Sequence, residues 1–314
     1  MEVIRGIHNL TEKHQECVVS IGNFDGLHLG HQALLETLVA KGRELHLPTL
    51  VIIFEPQPNE FFSQHENVPR LMRFREKVEA FQAQGIDRVL CIHFEEQTAL
   101  QVAEVFVRTV LVEKLAVKYV AVGDDFRFGF KRMGDCSLLE ALGQRYHFKT
   151  QCMETFEMSG SRVSSTRVRQ LLKVGDMATV RTLLGRPYSM RGKIAHGDKR
   201  GRLLGCPTAN IHLHRKVVPV SGVFAVNMLG IDAMPLPGVA NVGMRPTISG
   251  ETRTLLEVHL LNFDRDIYGK NVEIEFLQKF REEKKFANFE ELKEQIQKDI
   301  EQAREYHQQE KREP

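Results

Sequence analysis

Cysteine is sparse in this sequence, and its spacing does not match a zinc site or a disulfide framework. The 314 residues contain five cysteines, an odd number, at scattered positions: Cys17, Cys91, Cys136, Cys152 and Cys206. No two of them form a C-x-x-C motif. This usage is typical of free or buried thiols in a reducing cytoplasm, so we expect neither a disulfide framework nor structural zinc.

Long apolar segments and an excess of charge are also missing. No apolar run approaches the roughly 20 residues that a membrane-spanning helix requires, and the opening "MEVIRGIHNLTEKHQ" has no apolar core of the signal-peptide type. The 43 Lys and Arg residues nearly balance 41 Asp and Glu, which gives no general basis for binding nucleic acid or an anionic membrane. We expect a cytoplasmic protein with small-molecule substrates, no nucleic-acid or membrane partner, and a monomeric or weakly homo-oligomeric state.

The first half of the chain has the pattern of an α/β domain. Short apolar runs ("CVVSI", "TLVIIFEP", "RVLCIHF", "KYVAVG") alternate with amphipathic helical runs such as "FREKVEAFQAQG" and "ALQVAEVFVRTVLVEKL". Continuous apolar strands separated by helices predict a parallel sheet covered on both faces. We assign residues 1–185 to a Rossmann-like domain.

The second half has a different texture. From about residue 186, glycine and proline are frequent and short strand-like runs replace helices, for example "YSMRGKI", "GVFAVNMLG" and "KNVEIEFL". Near the end, "NFEELKEQIQKDIEQAREY" has an apolar stripe at helical spacing. We predict an antiparallel β-barrel with a C-terminal helix over residues 186–307, then a polar, frayed tail over 308–314.

The stretch "GNFDGLHLGHQ" places His28 and His31 at the start of a predicted helix, with Gly30 between them. A helix N-terminus offers free N–H groups and partial positive charge to phosphate. Two imidazoles there can donate to a phosphate that gains charge in a transition state, and Gly30 allows close approach. The spacing alone is equally compatible with two ordinary histidines in a polar loop. A metal pair is less favoured, because no third ligand is signalled nearby.

A second motif, "GKIAHGDKRGRLLGCPTANI", has three glycines four residues apart. It is not a Walker A loop, because neither Gly-Lys pair in the chain is followed by Ser or Thr. Glycine spacing alone is most often just a turn. The Thr208 hydroxyl and the Asn210 amide are hard oxygen donors two residues apart, so they can share one side of a strand. Such donors suit Mg²⁺ that carries ATP phosphates.

The first half resembles a known family. "GNFDGLHLGHQ" resembles the H-x-G-H signature of the adenylyl/nucleotidyltransferase superfamily, and "SSTRVR" resembles its late motif, which closes over the triphosphate. "FEPQPNEFF" and "VGDDFRFG" narrow the resemblance to the bacterial bifunctional riboflavin kinase/FAD synthetase family. The resemblance implies that this domain transfers AMP from ATP to FMN, with His28 and His31 holding the ATP phosphates and Asp125 near the ribose and phosphates.

The same resemblance implies further ligand contacts in the first half. The nucleotide-side residues are Gly30, Asp125, Ser164, Ser165, Thr166 and Arg169, and the flavin-side residues are Phe54, Phe62, Phe126 and Phe128. The further implied contacts, not assigned to either ligand, are Gly22, Phe24, Asp25, Pro56, Pro58 and Gly123. Flat apolar rings such as flavin stack well on aromatic side chains. Each phenylalanine taken singly also fits ordinary core packing, and the serines also fit a helix N-cap.

The second half is similar to the riboflavin kinase domain of that family, through "GCPTAN", "GVANVGMRPT", "LEVHLLNFDRDIYG" and "FREEKKF" in order. This implies phosphorylation of riboflavin by Mg·ATP, with Thr208 and Asn210 on Mg²⁺ and Glu257 as the base for the ribityl hydroxyl. The remaining implied contacts are Gly197, Gly201, Gly205, Pro207, Arg245 and Arg281. In "LLEVHLL" the strand alternation puts Glu257 on the polar face, which alone favours a solvated glutamate.

Two alternatives stay open at this point. One is a related nucleotidyltransferase with another acceptor, or a truncated synthetase, against which the kinase-like second half argues. The other is a non-catalytic flavin- or nucleotide-binding protein, against which a base at Glu257 argues, since a pure binder needs none.

Overall fold

The computed structural model describes residues 1–63, 68–158, 160–196, 206–215, 217–246 and 252–310. The chain forms two compact units, one of Met1–Val68 with Met72–Ser165, the other of Pro69–Leu71 with Thr166–Pro314. Side-chain donors explain why Pro69–Leu71 belongs to the second unit. Nε of Arg169 donates to the Pro69 carbonyl at 2.8 Å, and Nη1 of Arg215 donates to the Arg70 carbonyl at 2.6 Å.

The first unit contains the predicted parallel sheet. Its six strands are β1 (Glu2–Arg5), β2 (Val18–Ile21), β3 (Thr49–Glu55), β4 (Arg88–His93), β5 (Tyr119–Gly123) and β6 (Lys149–Met153). They lie in the order β1-β4-β3-β2-β5-β6, and every adjacent pair is parallel. Because helices cover both faces, the central strands are mostly apolar, and β2 is buried at all four residues.

The helices of this unit pack on the two sheet faces. They are α1 (Leu29–Leu45), α2 (Pro58–Phe62), α3 (Phe74–Ala83), α4 (Glu96–Ala99), α5 (Ala103–Phe106) continued by a π-helix (Val107–Lys114), and α6 (Cys136–Tyr146). Short 3₁₀ turns occupy Ile7–Asn9, Glu12–His14 and Phe130–Arg132, and a small hairpin pairs β7 (Glu157–Met158) with β8 (Ser161–Arg162).

One predicted helix is interrupted. The run "ALQVAEVFVRTVLVEKL" is divided between the end of α4 and the segment that starts at α5. The carbonyl of Gln101, in the interruption, accepts the backbone N–H of Phe130 at 2.7 Å. A tertiary hydrogen bond therefore takes the place of a helical one at this point.

The second unit contains the predicted barrel. Its six antiparallel strands are β9 (Tyr188–Ala195), β10 (Ala209–His212), β11 (Gly222–Leu229), β12 (Leu236–Pro246), β13 (Thr252–Leu260) and β14 (Asn271–Arg281). They close in the order β10-β13-β12-β11-β14-β9. Helices α7 (Ser165–Val174) and α8 (Met177–Leu184) precede the barrel, and α9 (Phe289–Glu310) follows it.

The C-terminal helix packs on the barrel as its apolar stripe predicts. Ile300 and Ala303 are buried against Val223, Val239 and Cys206. The helix continues through Glu310, so residues 308–310 of the expected tail are helical. The rest of that tail lies outside the described residues.

The run from "SSTRVR" to "RTLLG" is two helices because of Gly175. This residue has φ +86°, and a Cβ there would meet side-chain carbons of Lys279. Asp176 then caps α8, since its Oδ1 accepts the Thr179 N–H at 3.0 Å.

The expectation about cysteine is wrong for one pair. Cys136 and Cys152 form a disulfide, with Cα atoms 6.1 Å apart. Cys136 is the first residue of α6, which packs beside β6, where Cys152 lies. Their separation of 16 positions gives no local sign of this proximity. Cys17, Cys91 and Cys206 are buried thiols that take no part in a disulfide, as expected.

Within the described ranges, no helix is long and apolar enough to cross a bilayer.

Candidate active sites

The first site lies where the strand order of the parallel sheet reverses. β2 has β3 on one side and β5 on the other, and the chain reaches β5 after it has built β3 and β4. In open α/β sheets, ligands bind at such a switch point, outside the carboxyl ends of the strands. The residues after β2 include His28 and His31, and those after β5 include Asp125 and Phe126. The motifs "GNFDGLHLGHQ" and "VGDDFRFG" therefore lie at the same edge of the sheet.

His28 and His31 form a stacked pair at the N-terminus of α1. Their ring centroids are 3.6 Å apart, with 17° between the planes. His28 is the N-cap of α1, and its Nδ1 accepts the backbone N–H of His31 at 3.3 Å. A neutral His28 then carries its proton on Nε2, which is a hydrogen-bond donor. The H-x-G-H spacing thus caps the helix and orients a donor at the same time.

Both histidines are held neutral by their surroundings. Burial lowers the pKa of His28 from 6.5 to about 4, although the nearby Asp125 carboxylate favours the charged ring. Burial also holds the pKa of His31 well below 6.5, and the neighbouring His28 and Lys77 act in the same direction. The rings are therefore polar donors without charge at neutral pH.

Two buried side-chain nitrogen atoms near this sheet edge are unsatisfied. Among the residues that the structure describes, Nδ1 of His31 and Nε2 of Gln57 have no hydrogen-bond partner. Gln57 is 1% exposed and lies between two residues predicted to contact a ligand, Pro56 and Pro58. An unpaired buried polar group costs about 1–3 kcal/mol. Groups of this kind need an explanation, and a polar ligand is one.

The loop between β2 and α1 is held in place by polar contacts from distant segments. The Asp25 carboxylate is buried and accepts the backbone N–H of Met72 at 3.0 Å, and its carbonyl accepts the Ser165 hydroxyl at 2.7 Å. The buried Lys77 ammonium donates to the Asn23 carbonyl at 2.8 Å. Asp25 and Ser165, predicted as ligand contacts, thus have positioning contacts within the protein. Lys77 was not identified from the sequence.

Acidic residues after β5 have specific partners. Asp125 forms an ion pair with Arg162, a residue that the sequence analysis did not single out. Asp124 accepts both the hydroxyl and the N–H of Thr155, at 2.6 and 3.0 Å, which lowers the pKa of Asp124. These contacts hold the start of the loop after β5 against the segment that follows β6.

The predicted glycines sit where a side chain has little room. A Cβ on Gly30 would lie 3.2 Å from Phe156 and 3.4 Å from the His28 ring. A Cβ on Gly22 would lie 3.1 Å from the Phe24 ring, and one on Gly123 would lie 3.1 Å from Asp125. The buried Phe24 ring in turn lies 5.2 Å from the ring of His31. The absence of side chains at these glycines keeps the rings and the carboxylate close to the backbone.

The four predicted flavin-side phenylalanines belong to one aromatic cluster. Phe126 stacks on Phe128 at 5.2 Å and 15°, and Phe106 links Phe128 to Phe54. Phe94 links Phe54 to Phe62 at 5.7 and 5.8 Å. Phe62 is 65% exposed, so the cluster reaches solvent at that end. Phe61, Phe94 and Phe106 complete the cluster and were not predicted: Phe61 is the chain neighbour of Phe62, whereas only tertiary packing brings in Phe94 and Phe106.

The late motif "SSTRVR" falls at the boundary of the two units. Ser164 and Ser165 belong to the first unit, and Thr166 and Arg169 belong to the second. Thr166 is exposed on α7, and Arg169 contacts the Pro69 carbonyl. A joint role of this segment over a triphosphate stays a prediction.

The second site is a row of polar residues across three barrel strands. Glu257 on β13 is directly opposite Asn210 on β10, and directly opposite Asn241 on β12. Residues opposite each other in antiparallel strands point to the same side, with Cβ atoms about 4.5–5.5 Å apart. The neighbouring Leu256 and Val258 are buried, as the alternation predicted. The barrel therefore places the predicted base beside a predicted magnesium ligand.

Thr208 is placed near this row by the preceding segment. The Pro207 carbonyl lies 2.9 Å from Nδ1 of His259, which shares the polar face of Glu257. Thr208 follows Pro207 and is half-buried, two residues before Asn210. Neither the contact of His259 with "PTAN" nor the position of Asn241 opposite Glu257 was predicted from the sequence.

The predicted arginines are placed differently. Arg281 forms a two-pronged ion pair with the buried Asp299, at 2.9 and 2.7 Å, and its Nη1 donates to the Glu282 carbonyl. Arg281 is thus committed to tying the end of β14 to α9. Arg245 lies on β12. Gly197, Gly201 and Gly205 lie outside the described residues.

In the described part of the chain, no cluster of three or more His, Cys, Asp or Glu is suited to hold a metal.

The fold and the two candidate sites define a class of protein: an α/β domain with a parallel sheet and a candidate site at its switch point, joined to an antiparallel barrel with its own row of polar residues. Comparison with protein families identifies both parts. The FAD synthetase family matches residues 10–167, and the riboflavin kinase family matches residues 184–307. The chain belongs to the bifunctional riboflavin kinase/FMN adenylyltransferase family.

Whole-length relatives support this assignment. The chain is 48% identical over 307 residues to the bifunctional riboflavin kinase/FMN adenylyltransferase of Escherichia coli K12, covering 98% of each chain. It is 45% identical over 304 residues to the Haemophilus influenzae enzyme of the same name, covering 97% of this chain and 98% of the other. These relatives match this chain along nearly its whole length, which includes both the FAD synthetase region and the riboflavin kinase region.

A solved structure has the same architecture. A protein of Streptococcus pneumoniae whose structure is titled a macrolide-efflux protein aligns with a TM-score of 0.83 and 27% identity. The alignment covers 96% of this chain and 98% of that one. The efflux description belongs to that protein, and we take from the comparison the shared architecture.

Proposed function

We propose that this chain makes both flavin cofactors from riboflavin. The barrel domain phosphorylates riboflavin with ATP and releases FMN and ADP. The α/β domain then transfers AMP from ATP to FMN and releases FAD and pyrophosphate. The observation that carries this proposal is the whole-length match, 98% of the chain against the E. coli relative, with the predicted residues of each reaction present in the matched sequence.

In the adenylyl transfer, an oxygen of the FMN phosphate attacks the α-phosphorus of ATP, one P–O bond forms, and pyrophosphate leaves. The neutral His28 and His31 rings donate hydrogen bonds to phosphate oxygens that gain charge in the transition state. The N-terminus of α1 adds partial positive charge at the same place. Direct transfer requires no covalent enzyme intermediate. The chemistry is therefore positioning and charge stabilisation.

In the kinase reaction, Glu257 accepts the proton of the ribityl 5′-hydroxyl while that oxygen attacks the γ-phosphorus and ADP leaves. General base catalysis of this kind contributes typically about 10²–10⁴-fold. The cross-strand pairing of Glu257 with Asn210 supports the assignment, since it places the base beside a group suited to the phosphates.

Mg²⁺ bound with ATP fits the oxygen donors of this site. Thr208 and Asn210 offer a hydroxyl and an amide oxygen, and the Glu257 carboxylate lies opposite Asn210. We propose that Thr208 and Asn210 hold the ion. When bound, Mg²⁺ supplies charge neutralisation of the phosphates.

The aromatic cluster supports a flavin site in the first domain. Its exposed end at Phe62 and its stacked pair, Phe126 and Phe128, offer flat apolar surface beside the switch point. We propose that the isoalloxazine ring packs on this cluster, with Pro56 and Pro58 beside it and the FMN phosphate toward His28.

We further propose that the two activities belong to residues 1–185 and 186–307, that the protein works in the cytoplasm as a monomer or weak homo-oligomer, and that nucleic acids and membranes are not its partners. The family matches, which end at residue 167 and begin at residue 184, support a boundary in this region. Analytical ultracentrifugation of the purified chain tests the oligomeric state.

A flavin time course tests the proposed function. Purified protein is mixed with riboflavin, ATP and Mg²⁺, and the fluorescent flavins are separated by chromatography. FMN should appear first and FAD should follow. If FMN forms but FAD does not, the first site would serve an acceptor other than FMN. If riboflavin binds and no product forms, the result would favour a non-catalytic flavin-binding protein.

A further inference from the structure

The Cys136–Cys152 disulfide lies beside the loop that carries two of the predicted flavin-side residues of the first domain, Phe126 and Phe128. Residues 124–135 connect β5 to α6 and include Asp125, Phe126 and Phe128. The sulfur of Cys136 lies 3.5 Å from the Gly123 carbonyl, which also accepts the Phe126 N–H at 3.0 Å. Both cysteines pack against the same core as Phe126 and Phe54. The crosslink is therefore in direct contact with the start of this loop.

The disulfide fixes one end of that loop relative to the other. At the start of the loop, β5 pairs with β6, and Val122 lies opposite Cys152. At its end, Cys136 begins α6 and is bonded to Cys152. Between these points, Phe128 and Gly134 exchange backbone hydrogen bonds of 3.0 and 2.9 Å. A covalent bond between the ends restricts the conformations open to the loop.

We propose that Cys136 and Cys152 form a reversible thiol–disulfide site whose oxidation state sets how firmly the FMN-binding loop, residues 124–135, is held. The reaction partner is a low-molecular-weight thiol and its disulfide. Disulfides in reducing compartments are usually transient or redox-sensing, which suits this role in the expected cytoplasmic location. This inference rests on the proposed adenylyl-transfer function of the first domain.

The exchange balances in two steps. An external thiolate attacks Cys152 Sγ, a mixed disulfide forms there, and Cys136 leaves as a thiolate. The first turn of α6 stabilises negative charge on the Cys136 sulfur. A second external thiolate then attacks the external sulfur of the mixed disulfide, which releases the Cys152 thiolate and one external disulfide. Both residues are half-buried rather than fully enclosed in the core.

Reduction should loosen the loop and weaken FMN binding without changing the kinase. The bond between the loop ends is lost, and the Cys136 thiol gains a hydrogen that can be donated to the Gly123 carbonyl that Phe126 uses. We expect the KM for FMN in FAD synthesis to rise about three- to tenfold. The rate of riboflavin phosphorylation should stay the same, because Cys136 and Cys152 lie in the other unit.

The test uses full-length protein equilibrated with glutathione or glutathione disulfide. Thiol alkylation with mass spectrometry reads the state of the pair, and the KM for FMN and the kinase rate are measured on the same samples. The double variant Cys136→Ser, Cys152→Ser should show the higher KM in both buffers. Cys91→Ala, which removes a free thiol of the same unit, should respond to glutathione as the unchanged protein does.

Amide hydrogen exchange separates this inference from the proposed function. Residues 124–135 should exchange about tenfold faster in the reduced protein. If FAD is formed with the same KM in both states, or if glutathione disulfide does not restore the bond, the inference is overturned. If no FAD is formed in either state, the proposed function fails. In that case hydrogen exchange still tests the redox inference. Equal exchange of residues 124–135 in the oxidised and reduced protein would overturn it, and faster exchange on reduction would support it.

Discussion

The His28 and His31 rings stack at a centroid distance of 3.6 Å at the N-terminus of α1. Two imidazolium rings so close would repel each other, and burial lowers the pKa of both. The pair is therefore neutral, and the positive potential for a phosphate comes from the end of α1. The rings add directional hydrogen bonds to that potential.

Replacement of His28 by Ala should lower the rate of FAD synthesis by about 10²–10³-fold, because a donor to the transition state is removed. The rate of riboflavin phosphorylation should not change, since the other unit contains that site. Initial rates of both reactions on the same preparation check this. His8→Ala, at an exposed histidine of the first unit, is the matched control. Equal loss of both reactions in a folded His28 variant would contradict separate sites.

The histidine pair should also make stability depend on pH. The folded-state pKa of His28 is about 4, below its ordinary 6.5. Between these two pH values the unfolded chain therefore binds more protons than the folded protein does. The free energy of unfolding should therefore fall as the pH is lowered from 6.5 toward 4, by up to about 1.4 kcal/mol per pH unit for each imidazole. Urea titrations of the unchanged protein and of His28→Asn measure it. An equal slope in the variant would show that His28 is not responsible.

Replacement of Glu257 by Gln should slow FMN synthesis by about 10²–10⁴-fold, because an amide cannot accept the hydroxyl proton. The side chain keeps its size and its place opposite Asn210. FAD synthesis from supplied FMN is the internal control and should continue at the normal rate. A variant that phosphorylates riboflavin normally would refute the base assignment.

Replacement of Phe126 by Leu should raise the KM for FMN about three- to tenfold, because a stacked aromatic surface is lost. Its partner Phe128 stays in place, and leucine keeps the apolar contact with the core. Phe130→Leu, at an exposed residue a few positions along the same segment, should leave the KM unchanged. Equal KM values for the Phe126 and Phe130 variants would show that the flavin does not bind at this cluster.

Replacement of Asp299 by Asn should destabilise the barrel unit by about 3 kcal/mol, because Arg281 is left without its carboxylate partner. Asp299 is buried and receives both prongs of the guanidinium. Chemical denaturation followed by circular dichroism measures the loss. The double variant Arg281→Met, Asp299→Leu should recover most of it, since no unpaired charge remains. A recovered barrel with a normal kinase rate would also mean that Arg281 serves structure and not substrate.

Much of the architecture follows from local patterns. Period-two and continuous apolar runs predicted the parallel sheet and the barrel, because side-chain direction in a strand depends on the backbone alone. The same reasoning placed Glu257 on the polar face of β13. The H-x-G-H and "PTAN" motifs are equally local, since the roles proposed for them depend on fixed spacing at a helix start or along a strand.

Other features were decided by tertiary structure, since they join residues far apart in the chain. The neutrality of His28 and His31 depends on burial that no local pattern reports. Phe94 and Phe106 enter the aromatic cluster, and Arg162 pairs with Asp125, only after the sheet assembles. The disulfide between Cys136 and Cys152 arises in the same way, because the packing of α6 beside β6 brings together two thiols whose spacing in the sequence indicated nothing.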